Sequence, residues 1–287
     1  MATTVAYPGV GGHSALTSTA GALLTVLDAV LVTGQGWTKP FSSGNVAVYK
    51  QPAGSTGFYL RVDDSGTNFA RACLYETMSD VDTGTGQTPT SVQLSGGYYI
   101  HKNSPGDWIA FAHGGNFHIF TSYTASRFYW FRVSEIISKK PADGYNTYIY
   151  GQEVDSASPS MTTVGVNPTT SAGGYFVRGA SGTGGSTRGS QVVTTGTASF
   201  NASGMPAAPD PISGKYLLGK LRIGDGSTMT RGYEPGVLVE NHVGLAFSDR
   251  STLDGTAEVA GRTYMAVTFG TMYQQILIET SDNWGPF

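Results

Sequence analysis

Two aspartates and two histidines are the residues whose type and spacing could support metal chemistry. Asp80 and Asp82 stand in the sequence D-V-D-T-G, and alternating carboxylates followed by glycine can wrap oxygen ligands around a hard cation such as calcium. The bidentate glutamate that closes such a loop is missing, and Ser91 stands in its place. We therefore interpret residues 80–89 as a polar loop that satisfies its own backbone, and keep Asp80 and Asp82 as metal candidates.

His113 and His118 form the second candidate pair. They flank Gly114-Gly115-Asn116, the clearest hairpin turn in the chain, because glycine and asparagine accept the positive φ angles of tight turns. If Gly115-Asn116 forms the loop, the two imidazoles face each other across the strands. Zinc needs three or four ligands, and no cysteine or carboxylate is close in sequence. The alternative is a polar pair beside a turn, so we expect no bound metal and no cofactor.

Nucleophilic and acid–base chemistry has little support. Cys73 is the single cysteine, which excludes an intrachain disulfide, and its strand context predicts a small buried side chain. The glycine-rich segment 179–187 lacks the lysine of a phosphate-binding loop, and no G-x-S-x-G elbow occurs. A glycan hydrolase needs two acids about 5 to 10 Å apart, yet most aspartates lie in turns and no acid pair lies in an apolar strand. We therefore expect no enzyme activity and name no catalytic residue.

The composition favours a protein whose surface is covered by neighbours. Charged residues make up 13% of the 287-residue chain, which also contains 40 glycines, whereas about 25% charged residues is typical. A secreted β protein is the alternative. The net charge of −3 and the lack of clustered Lys and Arg argue against nucleic acid as a partner. We expect the one adjacent basic pair, Lys139-Lys140, in a solvated turn.

The N-terminal region predicts neither secretion nor membrane insertion. It lacks a basic segment followed by a long apolar run. The longest apolar run is interrupted by Thr25 and Asp28 and is too short to span a bilayer. We expect synthesis in a cytoplasm, and an N-terminal arm over residues 1–17 that is ordered only against a partner.

One helix and many short strands make up the predicted fold. The helix carries an apolar stripe that consists of Leu23, Leu24, Leu27, Val30 and Leu31. Ser18 or Thr19 is its expected N-cap and Gly34 follows its end, and the stripe is expected to pack on a sheet rather than on another subunit. Elsewhere, alternating runs separated by Gly, Pro, Ser and Asp predict antiparallel strands. The predicted class is all-β, with antiparallel sandwich-like sheets, one short N-terminal helix and a long Gly/Ser/Thr loop.

The chain divides into four segments. An N-terminal arm and helix (1–36) precede an antiparallel β region (37–164), a Gly/Ser/Thr/Pro-rich loop (165–211) and a C-terminal β region (212–287). We expect the last region to form one continuous domain with residues 37–164, and a short helical turn at 134–140. A loop as long as 165–211 is either disordered or held by neighbouring subunits.

Aromatic side chains are candidates for contacts with other molecules. Residues 126–133 carry large apolar groups on both faces of a strand, which places it between two layers or at an intersubunit contact. An exposed tyrosine stripe at 145–150 would suit a sugar or a protein, whereas tyrosines buried at the edge of a core are the alternative. The candidate contact residues are Tyr98, Tyr129, Trp130, Tyr148 and Tyr150.

Five motifs in the first ninety residues carry a family resemblance. They are L-L-T-V-L-D-A-V-L-V (23–32), G-W-T-K-P-F (36–41), A-V-Y-K-Q (47–51), F-Y-L-R-V-D-D (58–64) and Y-E-T-M-S-D-V-D-T-G-T-G (75–86). Together they resemble a family of uncharacterised virion structural proteins encoded by tailed bacteriophages and prophages. Beyond these residues the resemblance extends only to the pattern of short aromatic strands. It implies a place in a virus particle and brings no catalytic motif.

The function expected from the sequence is therefore structural. The chain is expected in the tail or baseplate of a phage particle rather than in its head, assembled with copies of itself and other virion proteins. The alternatives are a β module of a phage tip that recognises a cell-surface carbohydrate, and a head decoration protein. The virion is the expected location after synthesis in the host cytoplasm.

Overall fold

Short strands of alternating apolar and polar residues dominate the chain, as the sequence predicts. The structure is a computed structural model that describes residues 2–102, 106–124, 127–151, 174–178, 186–189, 192–193, 218–224, 230–240, 250, 252–254, 262–267, 276–282 and 284. An α-helix, α1 (Ala22–Leu27), continues directly as a π-helix (Asp28–Thr33). The strands are β1 (Thr4–Ala6), β2 (Thr38–Ser43), β3 (Val46–Lys50), β4 (Tyr59–Asp63), β5 (Phe69–Tyr75), β6 (Thr77–Asp80), β7 (Thr83–Thr85), β8 (Tyr98–His101), β9 (Trp108–His113), β10 (Asn116–Thr124), β11 (Arg127–Glu135), β12 (Ile137–Ser138), β13 (Thr147–Gly151), β14 (Gly174–Arg178), β15 (Ser186–Gly189), β16 (Val192–Val193), β17 (Leu218–Gly224), β18 (Thr230–Glu240), β19 (Thr252–Asp254), β20 (Thr263–Val267) and β21 (Ile276–Glu279).

Three antiparallel sheets form the body of the fold, which confirms the predicted all-β class. The central sheet has the order β1-β9-β10-β11-β13-β14-β15. A five-stranded sheet, β2-β3-β4-β5-β8, is here called the helix-side sheet. The C-terminal sheet has the order β16-β17-β18-β21-β20-β19, with β12 paired to β18. Strands β6 and β7 form a separate hairpin.

The central sheet is apolar on both faces. Along β11, Phe131 and Val133 enter one hydrophobic core and Trp130 enters another, because successive side chains of a strand point to opposite faces. The first core also contains α1 and the inward residues of the helix-side sheet, and the second contains residues of the C-terminal sheet. The aromatic strand predicted from residues 126–133 therefore lies between two layers.

The helix begins later than predicted, at Ala22, and Asp64, which directly follows β4, caps it. Gly21 occupies the N-cap position without a side-chain cap. Instead, Asp64 Oδ2 accepts hydrogen bonds from the backbone N–H of Leu23 (2.8 Å) and Leu24 (3.3 Å). The prediction of Ser18 or Thr19 as the cap is wrong, because a buried carboxylate beyond β4 supplies the acceptor. The leucine stripe packs on the sheets as predicted.

Lys102 completes this buried arrangement. Its ammonium forms an ion pair with Asp64, and both side chains have no exposed surface. It also donates to the carbonyl oxygens of Thr19 (2.9 Å) and Gly66 (2.7 Å). All three donors of the ammonium therefore have partners, and the segment that leads into α1 is fixed to the helix-side sheet.

The N-terminal arm is ordered by the chain itself. Strand β1 pairs with β9, with Val5 opposite Phe111. Further along, Trp108 Nε1 donates to Ser14 O (3.0 Å), and Leu16 is buried. The expectation that these residues need a partner is wrong, because β9 offers an open edge that β1 can extend.

Two predicted irregular segments contain strands. Strands β14, β15 and β16 lie within 165–211 and extend the central and C-terminal sheets, so the described residues of that segment are not the predicted loop. The helical turn predicted at 134–140 is also wrong. There, Ile136 is buried in the second core and Ile137 pairs with Tyr233 across β12 and β18.

Two further predictions from the sequence concern Cys73 and membrane-spanning helices. Cys73 is buried and unpaired, as its strand context predicted. Among the described residues, no helix combines the length and the apolar character needed to cross a membrane.

Candidate functional site

The two aspartates proposed as metal ligands lie on the β6–β7 hairpin. Residues 80–89 therefore do not form a simple loop. Asp82 Oδ1 lies 2.5 Å from Arg61 Nη2, and Arg61 Nε donates to Val81 O (3.0 Å). Asp80 Oδ1 accepts the N–H of Val81 (2.7 Å). Both carboxylates thus bind groups of the same chain, and within the described ranges no group of three or more His, Cys, Asp or Glu side chains could hold a metal ion.

His113 and His118 are not opposite each other. The loop of the β9–β10 hairpin is Gly114-Gly115, so His113 pairs with Asn116 and His118 pairs with Phe111. This register differs by one residue from the expected loop. Trp284 contacts both imidazoles, with ring centroids 5.5 Å from His113 and 5.6 Å from His118. An indole in contact with both rings does not favour a shared metal.

His118 belongs to a charged cluster buried between the central and C-terminal sheets. Glu234, on β18, lies 3.5 Å from His118 Nε2 and 3.4 Å from Arg132 Nη1. The three side chains are at most 1% exposed. Charges at such depth need partners, because transfer out of water costs far more than surface pairing can return. We call these three residues the buried cluster.

Aromatic rings surround the guanidinium of the buried cluster. The Arg132 Cζ atom lies 3.8 Å from the Trp130 ring centroid, 4.3 Å from that of Tyr150 and 5.6 Å from that of Tyr148. A guanidinium over an aromatic face gains electrostatic attraction that increases when water is absent. These rings therefore stabilise the buried positive charge.

The structure corrects the role of the five predicted contact residues. Tyr98, Tyr129, Trp130, Tyr148 and Tyr150 are all at most 3% exposed. Tyr98 points into the first core, and Trp130, Tyr148 and Tyr150 point into the second. The Tyr129 ring stacks on His101, with centroids 3.7 Å apart. They do not form an exposed aromatic stripe on this chain.

Burial shifts the pKa of Glu234 upward and the pKa of His118 downward. It raises the pKa of Glu234 to about 7, although Arg132 and a hydrogen bond from Tyr148 act in the other direction. Burial and the charge of Arg132 hold the pKa of His118 well below its ordinary value. His118 is therefore neutral. A substrate cannot reach these groups without separation of the sheets, so their arrangement fits a stabilising role.

Sequence reasoning missed Glu234 because a bulge changes the side that it faces. Glu234 and Val237 are three positions apart, so strict alternation along β18 would place their side chains on opposite faces of the C-terminal sheet. Both side chains nevertheless face the central sheet. Gly236 has a φ of +67°, and the β17–β18 register shifts between Lys220 and Arg222. A bulge re-aims the residues beside it. The sequence did contain one indication of a buried acid. Arg132 lies on a strand that is apolar on both faces, so its guanidinium required an acidic partner.

A cleft lies beside the buried cluster. It has a volume of about 350 Å³ and is lined by His113, Asn116, Glu135, Ile136, Ile137, Asn146, Pro235 and Trp284. Glu135 Oε1 accepts the backbone N–H (2.6 Å) and the hydroxyl (3.1 Å) of Thr56. Burial nevertheless raises the pKa of Glu135. Glu135 and Glu234 are thus two acids, on β11 and β18, whose pKa burial raises, whereas the sequence argued only against a pair of acids in an apolar strand.

The outward face of the helix-side sheet carries half-exposed aromatic and charged side chains. Tyr59 lies between Lys50 and Tyr75 across the strands, and Lys50 Nζ is 5.2 Å from the Tyr59 ring centroid. Arg71 donates to Tyr99 Oη (3.0 Å) and lies 5.0 Å from that ring. We call this surface, which also includes Arg61, Asp63 and Phe69, the outer face.

Comparisons with protein-family models and with curated protein sequences gave no significant match to this chain.

Proposed function

We propose that this chain is a structural component of a tailed-bacteriophage particle, in the tail or baseplate, and that it assembles with copies of itself and neighbouring virion proteins. The resemblance of the motifs in residues 23–86 to virion structural proteins supports the location. The low charge content of the chain supports a surface that neighbours cover.

The outer face is the observation that carries the assembly part of the proposal. Tyr and Arg are enriched at protein interfaces because they combine apolar area with directed polar groups. Here Tyr59, Tyr75 and Tyr99 point away from the first core, whereas their strand neighbours Leu60, Leu74 and Tyr98 point into it. The partly exposed faces of these rings are therefore available for contact with another molecule.

Charges on the outer face suit contact with a second copy of the chain. Asp63 lies directly opposite Arg71, and Arg61 pairs with Asp82 of the hairpin. Both signs are thus present on one surface. A two-fold contact brings the same surface of two copies together, and positive groups of one copy can then face negative groups of the other.

Light scattering of the purified chain tests this proposal. We expect an oligomer at micromolar concentration, and Arg71→Glu should weaken association by about tenfold or more through like-charge repulsion. Lys140→Glu is the matched control, since Lys140 lies in an exposed bend. A monomer at about 100 µM, or absence of the chain from purified particles analysed by mass spectrometry, would contradict the proposal.

Carbohydrate recognition is the second candidate function. The same half-exposed tyrosines, Tyr59, Tyr75 and Tyr99, offer flat apolar area with hydroxyl groups, which suits sugar rings. A glycan array separates the two candidates. Saturable glycan binding that Tyr59→Ala removes from a monomeric chain would favour a phage-tip module that binds a cell-surface glycan.

A further inference from the structure

The cleft beside the buried cluster offers acceptors to a ligand. Its volume of about 350 Å³ lies at the small end of the range for ligand sites. The amide groups that line it donate to backbone carbonyls. Asn116 Nδ2 donates to His113 O (3.1 Å), and Asn146 Nδ2 donates to Ile136 O (2.9 Å).

His113 contributes an acceptor because of its tautomer. Thr3 Oγ1 donates its hydrogen to Ser281 O (2.6 Å). The contact between Thr3 Oγ1 and His113 Nδ1 (3.3 Å) therefore requires Nδ1 to carry the proton. Burial lowers the pKa of His113, so the imidazole is neutral and its Nε2 atom is a proton acceptor.

Glu135 and Asn146 add negative potential to the same cleft. The interactions of Glu135 with Thr56 involve Oε1, and a carboxylate accepts about four hydrogen bonds, so capacity remains. Asn146 Oδ1 has no hydrogen-bond donor among the described residues. Asn116 Oδ1, in contrast, is occupied by Ser134 Oγ and Glu135 N.

We propose that this cleft binds a primary ammonium group. An ammonium has three donors and no acceptor, which complements a carboxylate and a neutral imidazole acceptor. Its alkyl stem would lie against Ile137, Pro235 and Trp284, as lysine stems do on apolar surfaces. A zinc ion fits less well, since His113 and Glu135 are two ligands where three or four are needed.

The ammonium has two possible sources, a lysine side chain of a neighbouring protein chain or a free alkylamine. Two probes distinguish them, N-acetyl-lysine methylamide and n-butylammonium. Each is titrated into the full chain at pH 8 while the indole N–H resonance of Trp284 is followed by NMR. We expect saturable shifts with both amines and none with n-butanol, which has a similar stem but no charge. Tighter binding of the lysine derivative would assign the site to a protein lysine, and equal binding would assign it to a free amine.

Glu135→Gln is the test variant and Asp80→Asn is its control. Both remove one negative charge, but Asp80 lies on the separate β6–β7 hairpin. Glu135→Gln should weaken amine binding by about tenfold or more, because charge-assisted hydrogen bonds are about twice as strong as neutral ones. Asp80→Asn should leave it unchanged.

A second measurement needs no substitution. Saturation of the unsubstituted chain with n-butylammonium should lower the pKa of the Glu135 carboxyl, measured by carbon NMR, since an adjacent positive charge favours the ionised form. The proposal is overturned if neither amine gives a saturable shift up to about 100 mM, if the pKa of Glu135 does not fall, or if folded Glu135→Gln binds as tightly as the original chain.

Discussion

Glu234→Leu tests whether the buried cluster holds the central and C-terminal sheets together. The substitution leaves the Arg132 guanidinium, which is 1% exposed, without its counter-charge between the two layers. Loss of one partner of a buried ion pair costs about 3–5 kcal/mol. Leucine keeps most of the side-chain volume, so the cavity contribution is small.

The double variant Glu234→Leu/Arg132→Met separates charge from packing. Methionine removes the positive charge and places a polarizable sulfur against the Trp130 and Tyr150 rings. Replacement of a whole buried ion pair by apolar side chains is often neutral or stabilising. The double variant should therefore recover most of the stability that the single variant loses.

Urea unfolding at pH 8 gives the free energies of unfolding of both variants. For a chain of this size, a loss of about 3–5 kcal/mol corresponds to a drop in Tm of roughly 6–20 °C. Asp82→Asn is the control, because its surface pair with Arg61, in which the aspartate is 71% exposed, should contribute less than about 1 kcal/mol. The reasoning fails if Glu234→Leu stays within about 1 kcal/mol of the original chain, or if the double variant is no more stable than the single one.

Two further predictions concern the same interface. The raised pKa of Glu234, about 7 against an ordinary 4.5, stabilises the fold fully below pH 4.5, and this stabilisation is lost as the pH rises to 7. The lowered pKa of His118 has the opposite effect, because the unfolded chain gains a proton below about pH 6.5. His101, whose pKa burial lowers to about 4, titrates in the same range, so each variant is compared with the original chain. In urea unfolding, the stability of His118→Asn relative to the original chain should fall from pH 4.5 to 7, and that of Glu234→Gln relative to the original chain should rise; equal slopes would contradict the assignment. Gly236→Ala should cost more than about 1 kcal/mol, since φ is positive and the new Cβ would overlap the Trp284 indole; unchanged stability and unchanged tryptophan fluorescence would refute this.

Sequence reasoning succeeded where strands alternate regularly. The two apolar faces of β11 predicted either a position between two layers or an intersubunit contact, and the structure shows the first, since Phe131 and Trp130 enter different cores. It failed where one residue changes the register. The turn at Gly114-Gly115, rather than one position later, places His113 beside Asn116, and the outward-facing tyrosine of β8 is Tyr99 instead of Tyr98. With a side-chain period of two, a one-residue error exchanges buried and exposed positions.

Local sequence patterns could not predict the candidate site. The partner of Arg132 is more than a hundred positions away, and only the bulge at Gly236 turns Glu234 toward it. The cleft combines residues of β9, β11 and β18 with Trp284 near the end of the chain. Contacts at such separations follow from the stacking of the sheets, which composition and spacing do not specify.

The cap of α1 has a consequence for the order of events during folding. Asp64, whose carboxylate accepts the first helical N–H groups, is 41 positions from Leu23 along the chain. Lys102, whose ammonium donates to Thr19 O, is 83 positions from Thr19. The α-helix and the π-helix that continues it have six residues each, and a helical segment this short has too few turns to persist alone. We therefore expect the helix to form late, after β4 and β8 have brought Asp64 and Lys102 together, and we expect an excised peptide of residues 18–34 to remain a coil in water.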